Sequence, residues 1–277
     1  MIPAPLDGEI RTRDGVVLSY TRYPAAPGAP RIALVHSLAL DRSLWSRVID
    51  ALAGRAEIVA YDCRGHGLSD RPAGPFTVEQ FADDLVDLLN RLGWSDAVVA
   101  GCSMGGCVAQ SFAARYRDRT RAALFVDTTA WYGPSAPRDW ARRVETARAK
   151  GLAALVPFQL TRWFGDAFRE AEPDLMRRLA EVFTANDPAC YEATCRMLGA
   201  VDLRAGASAI ARPAAVLVGE QDQATPPDMA RDLAERIGDG AAVMVRGTRH
   251  LTPLENPAIV AGALMKLLER AAAGSAS

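Results

Sequence analysis

Short apolar runs that alternate with stretches of helical spacing limit what this chain can become more than any other feature. "RIALVH" (Arg31–His36) and "EIVAYD" (Glu57–Asp62) read as strands buried in a parallel sheet. Between them Leu44, Val48 and Leu52 repeat at helical spacing. Thr77 can cap the next helix, with Gln80 three residues on, and Phe81, Leu85, Leu88, Leu89 and Leu92 supply its apolar face. A strand at Asp96–Gly101, a helix after Ser103 and a strand at Arg121–Asp127 follow. Much later Pro213–Gly219 and Ala241–Gly247 resume the strand pattern, and a last helix runs from about Asn256 into an Ala/Gly/Ser tail expected to fray. Ahead of all this, "EIRTRDG" and "VVLSYTRY" form a hairpin about Asp14-Gly15, a dipeptide that favours a tight primed turn. The expected class is α/β: a mostly parallel, twisted sheet with helices on both faces.

From about Trp131 to Ala211 the strands stop. This segment is rich in Arg, Ala and Leu, carries Trp131, Trp140 and Trp163, and is broken at Pro157, Pro173 and Pro188. It reads as several short helices inserted as a lid (131–211) into a core made of 1–130 and 212–277. At 277 residues, one large domain with an insert is the expected size. A formal net charge of −1 with no long basic run argues against nucleic acid or an anionic membrane as partner. Ala97–Ala114 holds no charge, but Gly101, Ser103, Gly105, Gly106, Gln110 and Ser111 make it too polar to span a bilayer. "MIPAPLDGEIRTRDG" lacks a cationic start followed by an apolar core, so no secretory signal is expected and the cytoplasm is the expected compartment. The five cysteines (Cys63, Cys102, Cys107, Cys190, Cys195) are odd in number and lack C-x-x-C spacing. Free thiols are expected, rather than disulfides or a zinc site.

Where the period changes from strand to helix stands Gly101-Cys102-Ser103-Met104-Gly105, a G-x-S-x-G sequence. In that context it reads as a nucleophile elbow, with Ser103 on a sharp turn at a helix N-terminus. The flanking glycines allow close strand–helix approach, and the helix end directs N–H groups at a developing oxyanion. Cys102, just before the turn, reads as packing. The chain offers three histidines as base. His36 ends a strand and shapes the loop after it, and His66 reads as a structurally bonded or surface residue. Only His250 follows Ser103, as the order Ser, acid, His requires. Asp222, just after the Pro213–Gly219 strand, is the expected acid, with Asp127 at another strand end as its rival. The oxyanion donors are expected at the Met104 and Leu38 amides. Arg143 stands three residues after Trp140, hence on roughly the same helix face.

The stretches "VHSLALDRSLW", "YDCRGHGLSD", "GCSMGG", "LVGEQDQATPP" and "RHLTPLENP" together resemble the α/β-hydrolase superfamily. More narrowly the chain resembles 3-oxoadipate enol-lactonases, through "HSL", the W-x-x-R of Trp140–Arg143, the "RWF" of Arg162–Phe164 and "YEATCRMLGAVDLR" (Tyr191–Arg204). It departs from them at Ala39, where glycine is usual, at Cys63 in place of threonine, and at "HLT" in place of "HLS". The resemblance implies a hydrolase without cofactor or metal, acting on a small lactone or ester, with Trp140, Arg143 and Trp163 at the substrate. A carboxylesterase or C–C bond hydrolase using the same triad is the alternative reading, with perhydrolysis also open. A non-catalytic binder on the same fold is a further class.

Overall fold

The computed structural model describes residues 4–52, 54–210 and 213–274. A hairpin of β1 (Leu6–Arg11) and β2 (Val17–Tyr23) leads into β3 (Arg31–Val35), α1 (Ser46–Leu52), β4 (Glu57–Tyr61) and α2 (Val78–Arg91). Then come β5 (Ala97–Cys102), α3 (Met104–Arg115) and β6 (Thr120–Val126). An all-helical stretch follows: α4 (Ala136–Lys150), α5 (Val156–Trp163), α6 (Asp166–Ala171), α7 (Pro173–Thr184) and α8 (Pro188–Ala200). β7 (Ala214–Gly219), α9 (Pro227–Ile237), β8 (Val243–Val245), α10 (Thr252–Glu255) and α11 (Pro257–Gly274) complete the described chain.

The strands form one eight-stranded sheet in the order β1-β2-β4-β3-β5-β6-β7-β8. β1, β2 and β4 pair antiparallel, and every pair from β4 to β8 is parallel. Strands β3 to β7 are apolar and buried because helices cover both faces: α2 and α3 pack together on one, α1 and α11 on the other. From β3 the chain steps to β4 on one side and β5 on the other, the kind of switch point where a crevice opens at the carboxyl ends of the strands. Val35 lies opposite Gly101, Gly101 opposite Phe125, Val126 opposite Leu217, and Gly219 opposite Val245. The loops after β3, β5, β6, β7 and β8 therefore gather on one rim.

Local sequence accounts for most of these elements. The Thr77 hydroxyl accepts from Gln80 N (3.2 Å) and the Gln80 side chain accepts from Thr77 N (2.9 Å), a complete capping box for α2. Pro157, Pro173 and Pro188 occupy the first turns of α5, α7 and α8, so they start helices rather than interrupt them. The hairpin differs from the two-residue primed turn expected at Asp14-Gly15. Its strands close at Arg11↔Val17 and, of the pair, only Gly15 has positive φ (91°), so the turn is not of the primed type. The longer loop is held by Thr12 N donating to Val16 O (2.9 Å) and the Thr12 hydroxyl donating to Asp14 (2.6 Å). β8 is also shorter than the expected Ala241–Gly247. It is an edge strand entered through Gly240 (φ 105°) and left through Gly247 (φ 72°), which leaves little extended chain between them.

The helical stretch between β6 and β7 is closed at its base. Trp131 and Asp202 form a β-bridge, Leu203 N donates to Ala130 O (2.8 Å), and the Arg204 guanidinium lies 3.7 Å from the Trp131 ring centre. The expected boundary at Ala211–Arg212 lies outside the described residues, as do Ser275–Ser277 of the tail expected to fray. Among the described residues no helix is long and apolar enough to cross a membrane.

Candidate active site

Ser103 follows β5 and caps α3 with φ 54° and ψ −115°, a conformation that L-residues rarely adopt. Its surroundings leave it no alternative. Ser103 N donates to Val126 O (2.9 Å), and Ser103 O accepts from Gly106 N (2.9 Å) and the Thr128 hydroxyl (2.7 Å). The glycines around it are needed for space: a Cβ on Gly101 would lie 1.9 Å from Gly105 O, and one on Gly105 2.2 Å from Val35 O. The turn thus sets the serine hydroxyl on the rim while its backbone stays in the sheet. Cys102 points elsewhere; it is fully buried with its sulfur 4.0 Å from His250 O.

His250 Nε2 lies 2.9 Å from Ser103 Oγ, and His250 Nδ1 lies 2.7 Å from Asp222 Oδ2. The carboxylate beside Nδ1 favours the tautomer with the proton there, so Nε2 is free to accept from the serine hydroxyl. Asp222 is held in turn. Its Oδ1 accepts from Ala224 N (2.7 Å) and Thr225 N (3.0 Å), and its Oδ2 from the Thr225 hydroxyl (2.9 Å). Burial pushes its pKa up, but the adjacent imidazole and these hydrogen bonds outweigh that and hold it below the usual carboxylate range. Gly219 permits the approach of the two loops, since a Cβ there would meet Arg249 O at 1.9 Å.

Asp127 does not reach the imidazole. Its Oδ1 accepts from Gly219 N (2.9 Å) and the Thr252 hydroxyl (3.0 Å), and its Oδ2 from Thr252 N (2.8 Å). It ties the end of β7 to the segment after His250. The other two histidines are buried and structural. His36 Nε2 accepts from Cys63 N (2.9 Å) and its Nδ1 donates to Ser37 O (2.8 Å), which fixes the loop after β3. His66 Nδ1 is 3.0 Å from Arg64 O, and its ring packs edge-on against His36 at 5.2 Å.

The loop after β3 carries Leu38, which lines the pocket at Ser103, and Ala39, whose φ is 58°. A left-handed residue there accounts for the glycine usual at this position. Asn186, in the helical insert, donates to Ala39 O (2.9 Å) and helps hold that shape. Among the described residues the Leu38 and Met104 amides meet no protein acceptor. Met104 N is the first N–H of α3, one of the donors a helix leaves unsatisfied.

Over Ser103 lies a cleft of about 220 Å³, partly open to solvent, between the strand ends and the insert. Trp140, Arg143 and Trp163 all line it. Arg143 is half-buried, donates from Nε to the Tyr191 hydroxyl (2.6 Å), and lies 5.1 Å from the Trp140 ring centre. The serine, histidine, aspartate and aromatic–arginine residues expected from sequence thus meet at one place. Sequence reasoning missed Tyr132, Gln159 and Arg162 in the lining, and Thr225 as a partner of Asp222. Thr225 was findable: an Asp whose carboxylate takes the amides two and three residues on is an Asx-turn, signalled by "DQAT". For Tyr132, Gln159 and Arg162 nothing local gave the direction of the side chain, because only the packing of the insert decides which way they face. All five cysteines are buried and free, and among the described residues no His/Cys/Asp/Glu group could hold a metal ion.

This geometry can activate a serine hydroxyl through an imidazole while a carboxylate supports the imidazolium. Known proteins share the arrangement's frame. The chain is 27% identical to 3-oxoadipate enol-lactonase 2 of Acinetobacter baylyi, over 94% of this chain and 96% of that protein. The crystal structure of the enol-lactonase from Burkholderia xenovorans superposes with a TM-score of 0.89 at 32% identity, covering 95% of this chain and all of that one. A malate-bound thermophilic esterase from Thermogutta terrifontis superposes with a TM-score of 0.87 at 28% identity, covering 96% and 99% of the two chains. Residues 30–257 match the family model of the alpha/beta hydrolase fold, and with the sheet order and strand-end site described above, the chain belongs to the α/β-hydrolase family.

Proposed function

We propose that the chain is a serine hydrolase that opens a small carboxylate-bearing lactone, 3-oxoadipate enol-lactone, to 3-oxoadipate through an acyl-enzyme. The observation that carries this reading is the hydrogen-bonded series Asp222, His250, Ser103 facing a pocket that contains Arg143 against Trp140. The enol-lactonases among its relatives support the same substrate class.

In this reading Ser103 Oγ attacks the lactone carbonyl as His250 Nε2 takes its proton, and Asp222 stabilises the imidazolium. The oxyanion is met by the Leu38 and Met104 amides, which among the described residues have no other acceptor to leave. The ring C–O bond then breaks, and His250 returns the proton to the departing enolate, which stays attached through the acyl chain. Water enters, loses a proton to His250 and attacks the acyl carbon; as the intermediate collapses His250 returns that proton to Ser103 Oγ, the product acid is released, and its enol becomes the 3-oxo group. Arg143 holds the remote carboxylate, Trp140 and Trp163 flank the ring, and the insert of 131–211 acts as a lid over the core.

The test is hydrolysis of the enol-lactone, followed by loss of its ultraviolet absorbance, beside hydrolysis of the neutral ester p-nitrophenyl acetate. The lactonase reading expects the enol-lactone to be far the better substrate by kcat/KM. Ester turnover with none on the enol-lactone would sink that reading and leave a carboxylesterase.

A further inference from the structure

Ten arginines lie between Trp131 and Ile210, and among the described residues seven of them have a carboxylate within 4.0 Å. The exceptions are Arg178, which is exposed and away from the cleft, and the two that line it, Arg143 and Arg162. Arg143 spends one donor on the neutral Tyr191 hydroxyl. Arg162 spends one on Gln223 O (3.0 Å), beside Asp222, and its guanidinium lies 5.1 Å from the Phe158 ring centre. The remaining donors of both have no protein acceptor among the described residues. Both are only half-buried and line the same cleft. Burial, and after it the Arg143 charge, lower the pKa of Arg162, so two like charges share one pocket. The pocket's acidic rim residue, Asp139, is engaged by Arg138 (3.4 Å) and Arg142 (4.0 Å). Asp222 is engaged by His250.

The two cations stand at different walls. Arg143 belongs to the α4–α8 side, through Tyr191, and Arg162 to the acid–base side, through the loop of Asp222. We propose that they are two separate anion subsites, so that the pocket binds a short aliphatic dicarboxylate across both. This rests on the lactone-hydrolysis reading, and it follows that reading's chemistry. Breaking the acyl–oxygen bond with water yields an acid that ionises, so the product carries one more negative charge than the lactone. The tail carboxylate stays on Arg143, while the carboxylate formed at Ser103 moves to Arg162. Product and its dicarboxylate analogues are then competitive inhibitors, and Arg162 sets how tightly they are held.

The experiment uses adipate and its size-matched monoamide as competitors of p-nitrophenyl acetate hydrolysis, each inhibition constant being taken against the same variant's uninhibited rate. In the native enzyme adipate should bind roughly 10-fold or more tightly than the monoamide, the effect of one added charge-assisted contact. Arg162→Gln should bring the ratio to within about twofold, and Arg162→Lys should retain part of it. A native ratio near one, or one that Arg162→Gln leaves unchanged, overturns the second subsite. Calorimetric titration with the same two ligands reads that ratio without turnover. An enzyme inactive on ester and lactone that kept the ratio would therefore refute the hydrolytic reading alone, and one that lost the ratio while active would refute the subsite alone.

Discussion

Replacing Asp222 by Asn should be far more damaging to catalysis than replacing Asp127 by Asn, although the two carboxylates are both buried at strand ends. At Asp222 the Ala224 and Thr225 amides require an acceptor at Oδ1, so an Asn oxygen must stay there. The new amide nitrogen then occupies the Oδ2 position, 2.7 Å from His250 Nδ1. It donates to Nδ1, which forces the imidazole proton onto Nε2 and removes the acceptor that Ser103 needs. A wrong tautomer in unchanged geometry costs roughly 10⁴-fold in kcat. At Asp127 the Asn oxygen can stay on Gly219 N and the Thr252 hydroxyl, which leaves one donor–donor clash at Thr252 N. That loss is about 1.5–3 kcal/mol of stability at most. Burial, and then the Asp222 charge, already push the Asp127 carboxyl well above its usual range, so neutralising it offsets part of the cost. A melting-temperature drop of roughly 3–10 °C is expected, with kcat within about 10-fold of native. Steady-state kinetics on p-nitrophenyl acetate and thermal unfolding by circular dichroism measure both quantities. The reverse ranking of kcat would transfer the acid role to Asp127 and refute the tautomer argument.

Arg143→Leu should lower kcat/KM on the enol-lactone by roughly 10- to 1000-fold more than on p-nitrophenyl acetate; equal losses would mean a damaged lid rather than a lost carboxylate contact. Stability should fall as the solution is acidified from pH 6.5 toward 4. Burial lowers the pKa of His36 to about 4, and burial followed by the His36 charge lowers that of His66 to about 3. Both are neutral in the fold and take up protons on unfolding, so their contribution is present above 6.5 and lost as pH drops through the folded values. For His36 alone the drop corresponds to about 3 kcal/mol. Urea unfolding at pH 7 and 5 reads it, and equal stability at the two would contradict it. Chelator, or added divalent metal, should leave the hydrolysis rate unchanged; loss of activity on chelation that metal restores would show a metal requirement.

The parallel strands were legible because they must be apolar on both faces, and α2 because Thr77 and Gln80 satisfy each other's amides. The convergence of Ser103, Asp222 and His250 was legible for a topological reason: each follows a strand whose carboxyl end faces the same rim. Asp127 also follows a strand, so position alone left two acids; the direction of a side chain, set by which amides it satisfies, separates them. The loop of Asp14 and Gly15 was misread because Thr12, two residues earlier, supplies hydrogen bonds that widen the turn. Inside the insert, helical spacing places Trp140 and Arg143 on one face, but nothing local brings Arg162 and Tyr132 to the same cleft. That depends on how α4, α5 and α8 pack over the sheet.

The most direct test of the central claim is covalent. A fluorophosphonate phosphonylates an activated serine with loss of fluoride, leaving a stable tetrahedral adduct, and digestion followed by mass spectrometry locates the label. One equivalent on the peptide containing Ser103, absent in Ser103→Ala and slowed by orders of magnitude in His250→Ala, is the expected result, together with loss of turnover in both variants. A label on any other residue, or a Ser103→Ala enzyme that keeps hydrolysing the enol-lactone, would contradict it.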